Sequence, residues 1–74
     1  MLYEDIKDFF GGIYPASEAL GVSKWALYRC KRIKYVPLSM QLLVEAKTKG
    51  ALKHDILHSS PKTVKMYDVL RDIN

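Results

Sequence analysis

The stretch that most constrains this chain is Tyr14–Arg32, in which two short amphipathic segments flank Gly21. Apolar residues recur on both sides of this glycine at spacings that place them inside the angle between two crossed helices. These residues are Ala16, Leu20, Val22, Leu27 and Cys30. Gly21 suits a tight turn because glycine enters the left-handed backbone region without steric cost. The stretch therefore predicts a helix-turn-helix, a unit that can place its second helix in a DNA major groove.

Positive charge concentrates in the second of these helices. The chain has 74 residues and a net charge of +4, and the segment 23–36 contains five basic residues and no acidic one. Acidic residues gather instead near the two ends of the chain. A basic segment of this kind is typical of polyanion binding, since phosphate contacts supply most of the non-specific affinity for nucleic acids. A solvated helix face is the alternative that charge alone leaves open.

Length and composition predict one small intracellular domain. A chain of 74 residues has room for a single modest core. Its one cysteine, Cys30, excludes an internal disulfide and is expected to be a small core hydrophobe. No apolar run approaches the roughly 18 residues of a membrane helix, and the acidic N-terminal stretch is unlike a signal peptide. We therefore expect a cytoplasmic protein with no membrane partner.

The remaining sequence predicts further helices on either side of this unit. Residues 2–10 form a first helix that buries Leu2, Ile6, Phe9 and Phe10 and stops at Gly11-Gly12. The second helix starts near Pro15, and the third runs from Lys24 to about Arg32 with Ser23 as its N-cap.

Three more helices are predicted in the C-terminal half. One runs from Pro37 to about Thr48 and ends near Gly50, a second and shorter one covers residues 51–58, and the last opens at Pro61 after a cap at Ser60. The first of them is expected to bury Met40, Leu42, Leu43 and Ala46 and to turn Ser39 and Gln41 outward. Residues 61–74 are also compatible with a strand, although the three-residue spacing of apolar residues favours a helix. The expected class is an all-α domain of five or six helices.

No catalytic or metal-binding constellation is visible in the sequence. His54 and His58 are four residues apart, which is a spacing compatible with a metal, but no third ligand accompanies them. Nucleophile–base groupings, glycine-rich phosphate loops and paired carboxylates are also lacking. We therefore expect no enzyme activity, no metal or other cofactor and no small-molecule substrate.

An ordered set of short motifs resembles the Cro family of phage repressors, in its all-helical, lambda-repressor-like branch. The set is Phe10-Gly11, then Ala19-Leu20-Gly21-Val22-Ser23, a basic helix, Val36-Pro37 and Thr48-Lys49-Gly50-Ala51-Leu52-Lys53. The resemblance covers residues 6–54 and implies a five-helix domain that binds a pseudo-palindromic operator as a dimer and represses transcription. It also implies double-stranded DNA as partner and a place at the nucleoid of a bacterial host.

The resemblance assigns roles to residues of the basic helix. Lys24, Trp25, Tyr28 and Arg29 match the positions that reach base edges, and Ser23, Lys31, Arg32 and Lys34 match positions over phosphate. The chain departs from the family in carrying its tryptophan at position 25, whereas an aromatic residue often occupies the position of Cys30. Trp25 has two interpretations, packing on the second helix or contact with thymine methyls and the sugar-phosphate edge.

Residues 61–74 have no counterpart in the family, so we treat residues 1–60 as the DNA-binding domain and the remainder as a possible dimerisation element. The expected interface comprises Val64, Tyr67, Leu70 and Ile73, with Val69 beside it. The alternative is that this segment folds back on the core.

Two other functions compete with that of a Cro-like repressor. Leu27-Tyr28-Arg29 after Gly21-Val22-Ser23 also resembles the winged excisionase-like or MerR-like DNA-binding proteins, in which a hairpin wing follows the recognition helix. Residues 33–50 show no hairpin turn chemistry, which ranks this possibility second. A protein–protein interaction module without DNA binding would explain the apolar tail but would leave the basic helix without a purpose.

Overall fold

The structure is a computed structural model that describes residues 1–73, with side chains described through Arg71. Five helices follow one another along the chain: α1 (Tyr3–Phe10), α2 (Ile13–Leu20), α3 (Lys24–Ile33), α4 (Leu38–Lys47) and α5 (Pro61–Ile73). Within the described residues there is no strand. The prediction of an all-α domain is confirmed, and residues 61–73 are helical rather than extended.

The first helix begins one residue later than predicted and buries only part of the predicted apolar side. Tyr3 and Ile6 are buried, whereas Leu2 and Phe9 are 38% and 48% exposed. The prediction that Phe9 anchors the core is therefore wrong; its ring packs edge-on against half-buried Phe10, with centroids 5.0 Å apart. Gly11 ends the helix as predicted, in the left-handed region at φ 84°, with its N–H donating to the Lys7 carbonyl at 2.9 Å.

The turn between α2 and α3 has the predicted construction. Helix α2 begins at Ile13 rather than Pro15, and Pro15 lies in the first turn, where backbone N–H groups have no partner within the helix. Gly21 adopts φ 68° after the last residue of α2. Ser23 then caps α3, since its Oγ accepts a hydrogen bond from the Ala26 N–H at 3.2 Å.

The core lies where α1, α2, α3 and α4 meet. The interior positions predicted from the helix-turn-helix are confirmed: Ala16, Leu20, Leu27 and Cys30 are buried, and half-buried Val22 packs against them. Ile6, Val36 and Val44 complete the most deeply buried set. Burial raises the pKa of the Cys30 thiol, and the positive charge of Arg29 only partly offsets this. Cys30 is therefore a core side chain held in its neutral form.

Helix α4 turns a polar residue into the core, which corrects the prediction. Gln41 is fully buried, and Val44 and Thr48 follow it along the same face. Leu42 and Ala46, predicted to be buried, are exposed, whereas Met40 and Leu43 are half-buried beside the core. The apolar residues of α4 surround most of the helix, so their spacing did not indicate which side faces inward.

The predicted helix over residues 51–58 is absent, because side chains of α4 bind the backbone of this segment instead. Thr48 Oγ1 accepts from the Leu52 N–H at 3.1 Å, Glu45 Oε1 from the His54 N–H at 2.8 Å, and Gln41 Oε1 from the Asp55 N–H at 2.8 Å. The bonds to His54 and Asp55 occupy amides that a helix over this segment would pair with carbonyls four residues earlier, and the Leu52 amide lies in what would be its first turn. The segment 51–60 is therefore a loop that is held against α4 by side chain–backbone hydrogen bonds.

The two histidines of this loop pair with carboxylates. His54 Nδ1 lies 2.8 Å from Glu45, and His58 Nδ1 lies 2.7 Å from Asp55, which also pairs with the α-amino group of Met1. Hydrogen bonds from the His54 N–H and ring lower the pKa of Glu45. Burial pushes the pKa of Asp55 upward, but its bonds with Met1 and His58 outweigh that effect and lower it. Residues 1–71 contain no cluster of metal-ligating side chains.

Candidate nucleic-acid interface

The outward side of α3 is set by the two residues that the helix buries. Leu27 and Cys30 are 1% and 2% exposed and face the core. The side opposite them carries two aromatic and two guanidinium side chains, which line a shallow hollow of about 380 Å³. These are Trp25, Tyr28, Arg29 and Arg32. The hollow is open to solvent and combines apolar rings with fixed positive charge.

Trp25 lies on the surface. It is 70% exposed, so the alternative in which it packs on α2 is wrong. Its ring centroid lies 6.0 Å from that of Tyr28, which is 39% exposed, and the two rings are tilted by 45°. We call Trp25 and Tyr28 the aromatic pair. It presents a continuous apolar surface on the outward side of α3.

Tyr14 extends this surface onto the first turn of α2, and the sequence prediction did not include it. The ammonium of Lys24 lies 5.2 Å from the centroid of the Tyr14 ring and 5.3 Å from that of Trp25. Both distances are within the range of cation–π attraction. Tyr14 is 64% exposed. An aromatic residue at the start of the second predicted helix, on the side opposite Ala16 and Leu20, was the signal that could have identified it.

The four residues predicted to lie over phosphate occupy three different places on α3. Arg32 lines the same hollow as the aromatic pair, next to the predicted base-reading residues. Lys31 and Lys34 lie towards α1, where they line a second hollow of about 180 Å³ with Leu2, Tyr3 and Glu4. Lys34 ends α3 in the left-handed region at φ 64°. Ser23 is exposed at the other end of the helix, with its Oγ engaged in the cap.

The positive charges of α3 are not neutralised by the rest of the described chain. None of its basic side chains forms an ion pair with a described carboxylate. The carboxylates of residues 1–71 that contact basic groups do so with the α-amino group of Met1, the two histidine rings and Arg71. Five cations along one helix and its C-cap are therefore available to an external polyanion.

The predicted dimerisation residues do not share one side of α5. Val64 is half-buried and lines a hollow with Ile33 and Tyr35, so it faces the body of the domain. Tyr67 and Leu70 are 48% and 59% exposed, and the side chain of Ile73 lies outside the described residues. The exposed apolar strip of α5 instead contains Met66, Val69 and Leu70, bordered by Lys62 and Lys65.

Comparison with protein-family models, curated proteins and solved structures found no match to this chain. Among the described residues, no helix has the length and apolar character required to cross a membrane.

Proposed function

We propose that this protein is a Cro-like, sequence-specific DNA-binding repressor that inserts α3 into the major groove of an operator. The observation that carries the proposal is the outward side of α3. On this second helix of the helix-turn-helix, capped by Ser23, basic side chains without a described carboxylate partner lie beside exposed aromatic rings. A helix of this kind fits the width of the major groove, and its cations complement the phosphates on either side. Repression follows from occupying a promoter in the bacterial cytoplasm, without catalysis or a cofactor.

The position of each side chain supports a division of roles. Arg29 is the first candidate for base reading, because a guanidinium fork meets guanine O6 and N7 together. Lys24, at the start of α3, reaches the same groove beside the exposed ring of Trp25. Lys31 and Lys34, on the side of α3 towards α1, are suited to phosphates, contacts that position the protein without reading sequence.

The geometry favours this proposal over a winged DNA-binding protein. In the winged class a β-hairpin follows the recognition helix, whereas residues 34–37 here form a short connection that leads into α4. The only other surface that suggests a partner is the apolar strip of α5 among the described residues. A protein-binding module would use that strip, and the basic surface of α3 would then have no ligand.

A salt titration of DNA binding tests the proposal. If Lys31, Arg32 and Lys34 each neutralise one phosphate, the logarithm of the binding constant should fall against the logarithm of salt concentration with a slope of about −3 per protomer. Fluorescence anisotropy with labelled duplex DNA measures this slope. An affinity independent of salt, or no binding at 50 mM salt, would contradict DNA binding through this helix.

Specific binding by one short helix calls for two copies, so we propose a homodimer that reads two half-sites about 34 Å apart. The strip of α5 is the candidate interface. Val69→Lys places a charge in its middle and should shift the protein towards monomer in sedimentation velocity, with about tenfold or greater weakening of self-association. The matched variant Lys62→Ala removes a charge from the border and should leave the dimer in place. Unchanged association of Val69→Lys would rule out this interface.

A further inference from the structure

We propose that the aromatic pair of Trp25 and Tyr28 reads the 5-methyl group of thymine, so that the bound sequence is selected for thymine beside a base read by Arg29. This inference rests on the proposed function, because it requires α3 to lie in the major groove. Phosphate binding by the basic residues of α3 gives no reason for two exposed aromatic rings among them, whereas a thymine methyl group is an apolar ligand for those rings.

The aromatic pair is a surface that the described chain leaves open. Trp25 is 70% exposed and Tyr28 is 39% exposed, and their rings lie 6.0 Å apart on the side opposite Leu27 and Cys30. Burying aromatic surface of this size releases a substantial free energy. In DNA binding through α3, this surface would be among the first to contact the base edges.

The chemistry of the major groove restricts what the rings can contact there. Base edges present hydrogen-bond donors and acceptors, and the 5-methyl group of thymine is the apolar group among them. The face of an indole or phenol ring placed over guanine O6 and N7 would remove water from these acceptors without replacing their hydrogen bonds. The same ring over a thymine methyl buries apolar surface on both partners. The aromatic pair therefore discriminates by favouring thymine and by penalising the other bases.

The basic side chains around the aromatic pair would determine where its rings lie in the major groove. Arg29 and Arg32 line the same hollow as the two rings, so their guanidinium groups can bind a guanine or a phosphate next to the thymine. Lys24 lies against both Tyr14 and Trp25, a contact that favours one orientation of the indole. Tyr14 is thereby a positioning residue for Trp25.

The test compares one mixed-sequence duplex, about two helical turns long, with the same duplex in which deoxyuridine replaces every thymine. The two duplexes keep the same hydrogen-bonding edges and differ in the methyl groups. We expect the full-length protein to bind the deoxyuridine duplex about fourfold more weakly for each methyl group it contacts. The double variant of Trp25→Ala with Tyr28→Ala removes both rings and should bind both duplexes equally, whereas Trp25→Phe should keep part of the difference because it retains a ring.

Tryptophan emission provides an independent readout, since Trp25 is the single tryptophan of the chain. Binding of the thymine duplex should protect it from quenching by acrylamide more than binding of the deoxyuridine duplex.

A gain in affinity when 5-methylcytosine replaces cytosine would identify the methyl group itself as the ligand, and a gain confined to thymine would show that the neighbouring O4 is read as well.

The outcomes separate this inference from the proposed function. Equal affinity of the wild-type protein for the two duplexes, with salt-dependent binding to both, would overturn methyl reading and leave DNA binding intact. A difference that persists in the double variant of Trp25→Ala with Tyr28→Ala would also overturn it, because the discrimination would then arise from DNA shape or from other residues. Failure to bind either duplex would overturn the proposed function and the inference together.

Discussion

Replacing Gln41 with methionine is expected to lower the free energy of unfolding by about 3 kcal/mol or more. The side chain is fully buried and serves three partners: Nε2 donates to the Val36 carbonyl at 2.8 Å, and Oε1 accepts from the Asp55 N–H at 2.8 Å and from the Met1 α-amino group at 3.1 Å. Methionine conserves the volume but leaves those three groups unpaired, at about 1–3 kcal/mol for each one that stays buried.

Thermal or urea unfolding followed by circular dichroism measures this effect. A loss of 3 kcal/mol in a domain of this size corresponds to a fall in Tm of at least about 10 °C. The matched control is Leu42→Gln, which changes the adjacent and 46% exposed position and should alter stability by less than about 0.5 kcal/mol. If Gln41→Met unfolds at the wild-type midpoint, the loop of residues 51–60 is held to α4 by other contacts.

Combined replacement of Lys24 and Arg29 with alanine is expected to reduce preference for the operator strongly while leaving the fold intact. Both side chains belong to the outward surface of α3, and neither takes part in a described ion pair that supports the core. A good bidentate contact between arginine and guanine contributes about 1–3 kcal/mol of discrimination. We therefore expect the ratio of specific to non-specific affinity to fall by about tenfold to a hundredfold.

Selection of bound sites from random-sequence DNA provides the operator for this measurement, and the symmetry and spacing of its half-sites also report the dimer geometry. The matched control is the double variant Lys47→Ala with Lys53→Ala, which removes the same charge from the end of α4 and the following loop. That variant should weaken binding to all sequences slightly and keep the preference. Retention of the preference in the Lys24 and Arg29 variant would show that another element reads the bases.

The helix-turn-helix could be read from the sequence because its signals are local. Gly21 favours a left-handed turn, Ser23 favours an N-cap, and both effects depend on a few adjacent residues. The buried faces of α2 and α3 were predictable as well, since Ala16, Leu20, Leu27 and Cys30 recur on the side of each helix that faces the turn. The same reasoning identified Lys24, Trp25, Tyr28 and Arg29 as outward-facing, and the structure places all four on the outer side or rim of α3.

The errors occurred where several arrangements satisfy the local pattern equally well. Helix α4 carries apolar residues around most of its circumference, so the choice of Gln41 over Leu42 as a core residue depends on what the rest of the chain places against it. Residues 51–58 have the apolar spacing of a helix, but their amides pair with side chains of Gln41, Glu45 and Thr48 that lie up to 14 residues earlier. No local pattern reports such a partner.

Sequence alone therefore determined the central turn, the buried side of the basic helix and the charge that helix exposes, because caps, glycine conformations and amphipathic spacing act over a few residues. The tertiary structure alone decided that Gln41 is buried, that residues 51–60 form a loop and that Tyr14 joins Lys24 and Trp25 in one surface. It also exposed Trp25 and separated Lys31 and Lys34 from Arg32. These features depend on contacts between distant segments, which form only when the helices pack together.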